Sequence, residues 1–81
     1  VTAAAIRILR DVITHLDREG TSPSITDIQH QDDEEWSAYQ YSLQFSSLVR
    51  AGLASERGIL RYRVEPTSGG IDVVSDHEDR L

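Results

Sequence analysis

The stretch Tyr39–Val64, YQYSLQFSSLVRAGLASERGILRYRV, constrains the fold of this chain most. Tyr41, Phe45, Leu48 and Val49 recur at the spacing of one helical face. Gly52 stands directly behind them. Glycine enters the left-handed backbone region without a Cβ clash, so the helix is expected to stop there. Two segments of strand character follow, Leu53–Glu56 and Ile59–Glu65, around Arg57-Gly58. A two-residue loop at Arg57-Gly58 pairs Glu56 with Ile59, Ser55 with Leu60 and Leu53 with Tyr62. The alternation of a strand then sends Leu53, Leu60, Tyr62 and Val64 to the core, and Ala54, Glu56, Ile59, Arg61 and Arg63 outward. Pro66 has no N–H for the ladder and closes the second strand.

The residues before this stretch supply helices for it to pack on. Thr2–Arg18 reads as a helix with an apolar stripe of Ile6, Leu9, Val12, Ile13 and Leu16, and Ala5 beside it. Arg7 and Asp11 lie one turn apart on its polar side. Gly20 stops it, and Thr21-Ser22-Pro23 turns the chain. Ser24 caps a second, short helix and Asp27 returns the bond, a variant of the capping box. Ser22 with Pro23 at the first helical position is an equally good start. Ile25 and Ile28 point inward, and this helix should end near His30 or Gln31.

The acidic run Asp32-Asp33-Glu34-Glu35 leaves two starts open for the third helix. It begins as early as Asp33, where carboxylates suit a helix N-terminus, or at Ser37 if the run is loop. It continues to Arg50 or Ala51. Trp36 and Tyr62 are expected in the core. Beyond Pro66, Thr67-Ser68-Gly69-Gly70 reads as a flexible connector. It leads to an acidic end with one apolar patch at Ile71, Val73 and Val74, expected to be loosely held. The expected organisation is one domain over residues 1–66 and a flexible acidic tail over 67–81.

Composition narrows the function classes. A chain of 81 residues buries one modest core, with little room for internal polar chemistry. No apolar run is long enough to span a bilayer and no leader pattern is visible, so a cytoplasmic protein without membrane contact is expected. With no cysteine, disulfides and cysteine zinc sites are excluded. His15, His30 and His77 read as surface histidines without ligand spacing, so no metal or other cofactor is expected. Neither a phosphate loop nor a nucleophile motif occurs, and neighbouring acids on one turn do not flank a substrate; an enzyme is not expected. Net charge is −6, from 14 acidic and 8 basic residues, and every basic residue is arginine. Such an acidic, lysine-free balance resembles that of halophilic proteins, whose carboxylates hold water while molar salt screens their repulsion.

Helix, short helix, helix and hairpin within residues 2–66 resemble the winged helix-turn-helix domain of prokaryotic transcription regulators. The residues carrying the resemblance are Ile25 and Ile28, then Tyr41, Phe45 and Leu48, and above all the step Leu48-Val-Arg-Ala-Gly-Leu53 into the hairpin. The resemblance implies a mainly α fold of three helices plus a β-hairpin wing. It implies sequence-specific binding of double-stranded DNA, with the third helix in the major groove and the wing on the backbone or minor groove. The implied contacts are Ser37, Tyr39, Gln40, Leu43, Gln44, Ser46, Ser47 and Arg50 on the helix, and Arg57, Arg61 and Arg63 on the wing. Gln40 and Gln44 would read adenine edges and the arginines would neutralise phosphates. A homodimer on two half-sites is expected, through the outer side of the first helix or the patch Ile71–Val74. The helix carries no basic residue before Arg50, and the acidic run at its head repels DNA unless salt screens it. The alternative is a protein–protein interaction module of the same fold, docking through its acidic surface without binding DNA.

Overall fold

The computed structural model describes residues 2–58 and 62–79. Along them run α1 (Ala3–Glu19), α2 (Ile25–Gln31), α3 (Ala38–Arg50), β1 (Ala54–Arg57), β2 (Arg63–Pro66) and α4 (Ser68–Asp79). The architecture is mainly helical with one two-stranded antiparallel hairpin. No helix among the described residues is long and apolar enough to cross a membrane.

α1 opens on Thr2, whose Oγ1 accepts the Ala5 N–H at 3.1 Å. Its buried face is Ala5, Ile8, Leu9, Val12 and His15. Ile6, Ile13 and Leu16, expected inside, are half-buried. α1 is apolar over a wide arc, so periodicity locates the arc and the packing of α3 and β2 chooses its centre. Ile28, Tyr41, Phe45, Leu48 and Val64 meet this face and are themselves fully buried. Of the stripe expected of α3, Val49 is half-buried, whereas Tyr41, Phe45 and Leu48 are fully buried. Truncating any of these large side chains to alanine costs about 2–5 kcal/mol.

α2 carries the expected capping box. Ser24 Oγ accepts the Asp27 N–H at 3.2 Å, and Asp27 Oδ2 accepts the Ser24 N–H at 2.9 Å. The acidic run belongs to the other end of this helix. Asp33 N–H donates to His30 O at 3.1 Å and Glu34 N–H to Gln29 O at 2.7 Å, the paired bonds of a Schellman cap. The bonds require the left-handed region, and Asp33 and Glu34 occupy it with φ of 57° and 56°. α3 therefore starts at the later of the two expected positions. Ser37 caps it, and Gln40 returns the bond from N3.

α3 ends in the same motif with the usual residue. Gly52, at φ 76°, donates to Val49 O at 3.1 Å, and Leu53 N–H donates to Leu48 O at 3.0 Å. The hairpin register differs from the expected one: Arg57 pairs with Arg63, Glu56 with Val64, Ser55 with Glu65 and Ala54 with Pro66. The two-residue hairpin turns, types I′ and II′, both need positive φ at the first central residue; Arg57 does not adopt it, and Gly58 does, at 87°. Ala54 consequently lies inward, opposite to expectation, with Val64; Leu53 is also buried. Tyr62, expected inside, is 38% exposed. Ile59 and Leu60 lie outside the described residues. Ser24 forms a bridge with Arg63, and Val64 N–H donates to Pro23 O at 3.1 Å, so the hairpin is tied to the turn before α2.

Residues 68–79, expected to be a connector and loose tail, form α4. Thr67 builds its start: Oγ1 donates to Gly52 O at 2.8 Å and accepts the Gly70 N–H at 3.0 Å. Gly70 lies so close to the preceding turn that a Cβ there would stand 2.0 Å from Leu53 O. Gly70, which in the sequence suggests flexibility, is thus what lets a helix approach a backbone closely. Val74 is buried and Val73 half-buried against α1, while Ile71 is 46% exposed.

Candidate functional site

A helix turns about 100° per residue, so the exposed residues of α3 fall into two rows. Tyr39, Leu43, Ser46 and Arg50 form the row opposite Tyr41, Phe45 and Leu48, and all four are exposed. Tyr39 is 70% and Leu43 46% exposed, unusual for side chains of this size. Gln40, Gln44 and Ser47 form a flanking row. Gln40 and Gln44 line a cavity of about 340 Å³ together with Ala4, Trp36 and Leu43. Gln44 and Ser47 are half-buried, and Ser37 is the cap. Gln40 Oε1 accepts the Ser37 N–H at 3.1 Å and the Ser37 hydroxyl at 3.4 Å. Of the eight α3 positions expected to face a ligand, the structure sets four in one outward row, places three beside it, and uses Ser37 to start the helix.

The hairpin side of α3 is formed by β1 and Tyr62, whose ring lies 6.2 Å from that of Phe45. Burial first, then the Glu56 carboxylate that Tyr62 Oη bonds at 3.4 Å, raises the Tyr62 phenol above its usual range. Arg57 lies on the outer face of the hairpin, where its Nε donates to Glu65 Oε1 at 2.7 Å. The pair is largely exposed and is worth roughly 0–1 kcal/mol, so another anion can displace Glu65 at little cost.

Arg63 does not join Arg57 as a surface cation. Its Nη1 donates to Ser22 O at 2.6 Å and stands 3.6 Å from Asp27 Oδ2. Arg61 lies outside the described residues. His15, expected on the surface, is buried; Nδ1 lies 3.1 Å from Thr21 O and Nε2 4.0 Å from Asp27 Oδ2. Asp27 is thus ringed by donors. The Ser24 backbone N–H above all, then the Ser24 hydroxyl, His15 and Arg63, holds its carboxyl below the usual range against the effect of burial.

The opposite end of α2 has the reverse character. Asp11 of α1 meets Asp32, the cap residue of α2. Burial first, and then Asp32, pushes Asp11 up to about 7, against the pull of Arg7 and Arg10. Asp11 Oδ2 is buried without a hydrogen-bond donor. Two carboxylates can share a bond only if one of them carries a proton, so this contact is complete in the protonated form alone. Tyr41 Oη donates to Asp32 Oδ2 at 3.2 Å and Arg7 Nη2 stands 3.9 Å from it. Arg7 also pairs with Glu35 and lies 5.2 Å over the Trp36 ring. Trp36, expected as a core aromatic, is half-buried and packs against Tyr41 in a tilted arrangement with ring centroids 5.3 Å apart. Sequence reading places Asp11 on the polar side of α1 and leaves it there. No local pattern marks its burial, because His15, one turn on along the same edge, reads as exposed too.

Among the described residues no group of three or more His, Cys, Asp or Glu is placed to hold a metal ion. No family model matches the chain, and no curated protein or solved structure shows significant similarity to it.

Proposed function

We propose that the chain is a winged helix-turn-helix protein that binds double-stranded DNA as a small transcription regulator, with α3 in the major groove and the hairpin on the backbone. The observation that carries this reading is the pairing of an outward row on α3 with a hairpin anchored to the start of α2. The row Tyr39, Leu43, Ser46 and Arg50 stands free of the core, and β2 is bridged to Ser24. α2, α3 and hairpin are thereby held as one unit, as groove docking requires. Arg50 and Arg57 are the cations offered to phosphates. Arg63 holds the hairpin in place. A homodimer supplies the second half-site, and Ile71 on α4 is an exposed apolar group for its contact.

A selection of genomic fragments at low and high KCl tests the reading, and enrichment of no DNA at either salt overturns it. Arg57→Ala should weaken binding across all sequences and reduce the salt slope by about 1. The composition supports work in high salt. If so, the thermal midpoint rises from low to molar KCl, and a midpoint indifferent to salt removes that part of the proposal.

One observation favours a second reading. Tyr39 and Leu43 place apolar surface where a phosphate-seeking helix would carry cations, and the exposed acids Asp33 and Glu34 precede the same helix in the chain. A basic protein partner would suit that surface, in which case a pull-down with such a partner replaces DNA enrichment.

A further inference from the structure

Each base pair offers the major groove a different set of groups: guanine two acceptors, adenine an acceptor and a donor, thymine an acceptor and a C5-methyl group. The outward row of α3 can be matched against that set. Bidentate reading of guanine needs an arginine or lysine, and the row has only Arg50, roughly 16 Å along the helix from Tyr39 at about 1.5 Å per residue. Reading adenine needs a glutamine or asparagine with both amide atoms free. Gln40 has its Oε1 bound to Ser37 through two hydrogen bonds, and Gln44 is half-buried beside Ala4 and Trp36. Ser42 is spent on Tyr39 O, to which its hydroxyl donates at 3.1 Å. What remains at the leading end of the row is the Tyr39 ring and the Leu43 side chain, one turn apart and exposed.

We infer that Tyr39 and Leu43 read thymine C5-methyl groups, so that the preferred half-site is thymine-rich and is recognised through apolar contact. The inference rests on the DNA-binding reading. Tyr39 and Leu43 lie about 6 Å apart along the axis, close to two base steps of roughly 3.4 Å, which lets them reach methyl groups in one short tract. Both side chains are exposed to water without DNA, so covering them against a methyl group removes apolar surface from solvent on both sides.

The test uses the duplex enriched by the genomic selection, synthesised once with thymine and once with uracil in the half-site. Uracil removes the methyl group and keeps every hydrogen-bonding atom. The wild-type protein should lose about fourfold in affinity per contacted methyl group. Leu43→Ala should bind both duplexes less tightly and with a smaller difference between them, while Tyr39→Phe, which keeps the ring, should retain the full difference. Uracil placed only in the flanks should have no effect. Because both side chains are exposed, the variants should keep the wild-type thermal midpoint, which separates loss of contact from loss of fold. Equal binding of the thymine and uracil duplexes overturns the inference and leaves the DNA-binding reading standing. If the selection enriches no duplex at all, the reading falls and the inference falls with it.

Discussion

α2 is seven residues long, and its two ends are opposite in chemistry. At the first, Asp27 accepts the Ser24 N–H, with His15 and Arg63 close by, and every charge has a counterpart. At the second, Asp32 meets another acid, Asp11, and two non-glycine residues occupy the left-handed region. Backbone direction explains much of the contrast. A helix N-terminus presents N–H groups that welcome a carboxylate, whereas a C-terminus presents carbonyls that do not. The difference teaches that acidic residues in this chain are not interchangeable: Asp27 faces Arg63 of the hairpin and the N–H of Ser24, whereas Asp11 is buried against a second acid.

The largest effect is expected from breaking the satisfied end. Asp27→Ala removes the reciprocal cap bond and leaves Arg63 and His15 facing no carboxylate. It should destabilise the fold by about 1–2 kcal/mol in chemical denaturation. An unchanged midpoint would show that the ring of donors around Asp27 carries no stability. Because its carboxyl lies below the usual range, the Asp27 contribution is complete above the ordinary value of 3.8 and is lost as pH falls below it.

The second prediction sharpens the contrast by its opposite sign. Asp11 is raised from 3.8 to about 7, so the folded chain holds a proton there that the unfolded chain has released. Its contribution is complete below 3.8 and is lost as pH rises toward and through 7. Asp11→Asn supplies the donor permanently. It should flatten the fall in thermal midpoint between pH 4 and 8 and raise the midpoint at the alkaline end by a few degrees. A wild-type midpoint that does not fall over this range removes the acid pair as a pH-sensitive contact.

The smallest effect concerns the backbone of the strained end. Asp33 stands where α3 has Gly52, at the left-handed position of a Schellman cap. Asp33→Gly should stabilise the fold by about 0.5–1 kcal/mol, since glycine enters that region without a Cβ clash. A loss of stability would mean that the Asp33 side chain does more there than its backbone costs.

Much of the helical order was legible. Ser24 with Asp27, the stripe Tyr41–Phe45–Leu48 and the stop at Gly52 each follow from residues within one or two turns. Other features depended on distant partners. Tyr62 and Ala54 exchanged places because the register is set where β2 meets Ser24, a contact 39 residues away in the chain. His15 and Asp11 were assigned to the surface of α1, because a helical wheel does not show which neighbours will cover its edges. The polar face of α3 was legible from its periodicity, but its division into an outward row and a flanking, partly covered row needed the position of α1.

The sequence by itself determined where helices start and stop, because caps, glycine stops and apolar periodicity act over a few bonds. It also determined the acidic, lysine-free surface. Only the tertiary structure decided the strand register, the burial of His15, the meeting of Asp11 with Asp32, and the conversion of Thr67–Gly70 from an apparent connector into the start of α4. Each of those depends on the approach of segments far apart in the chain. Gly70 shows the reason most plainly: its missing side chain reads locally as freedom, and becomes a close contact only once Leu53 O is beside it.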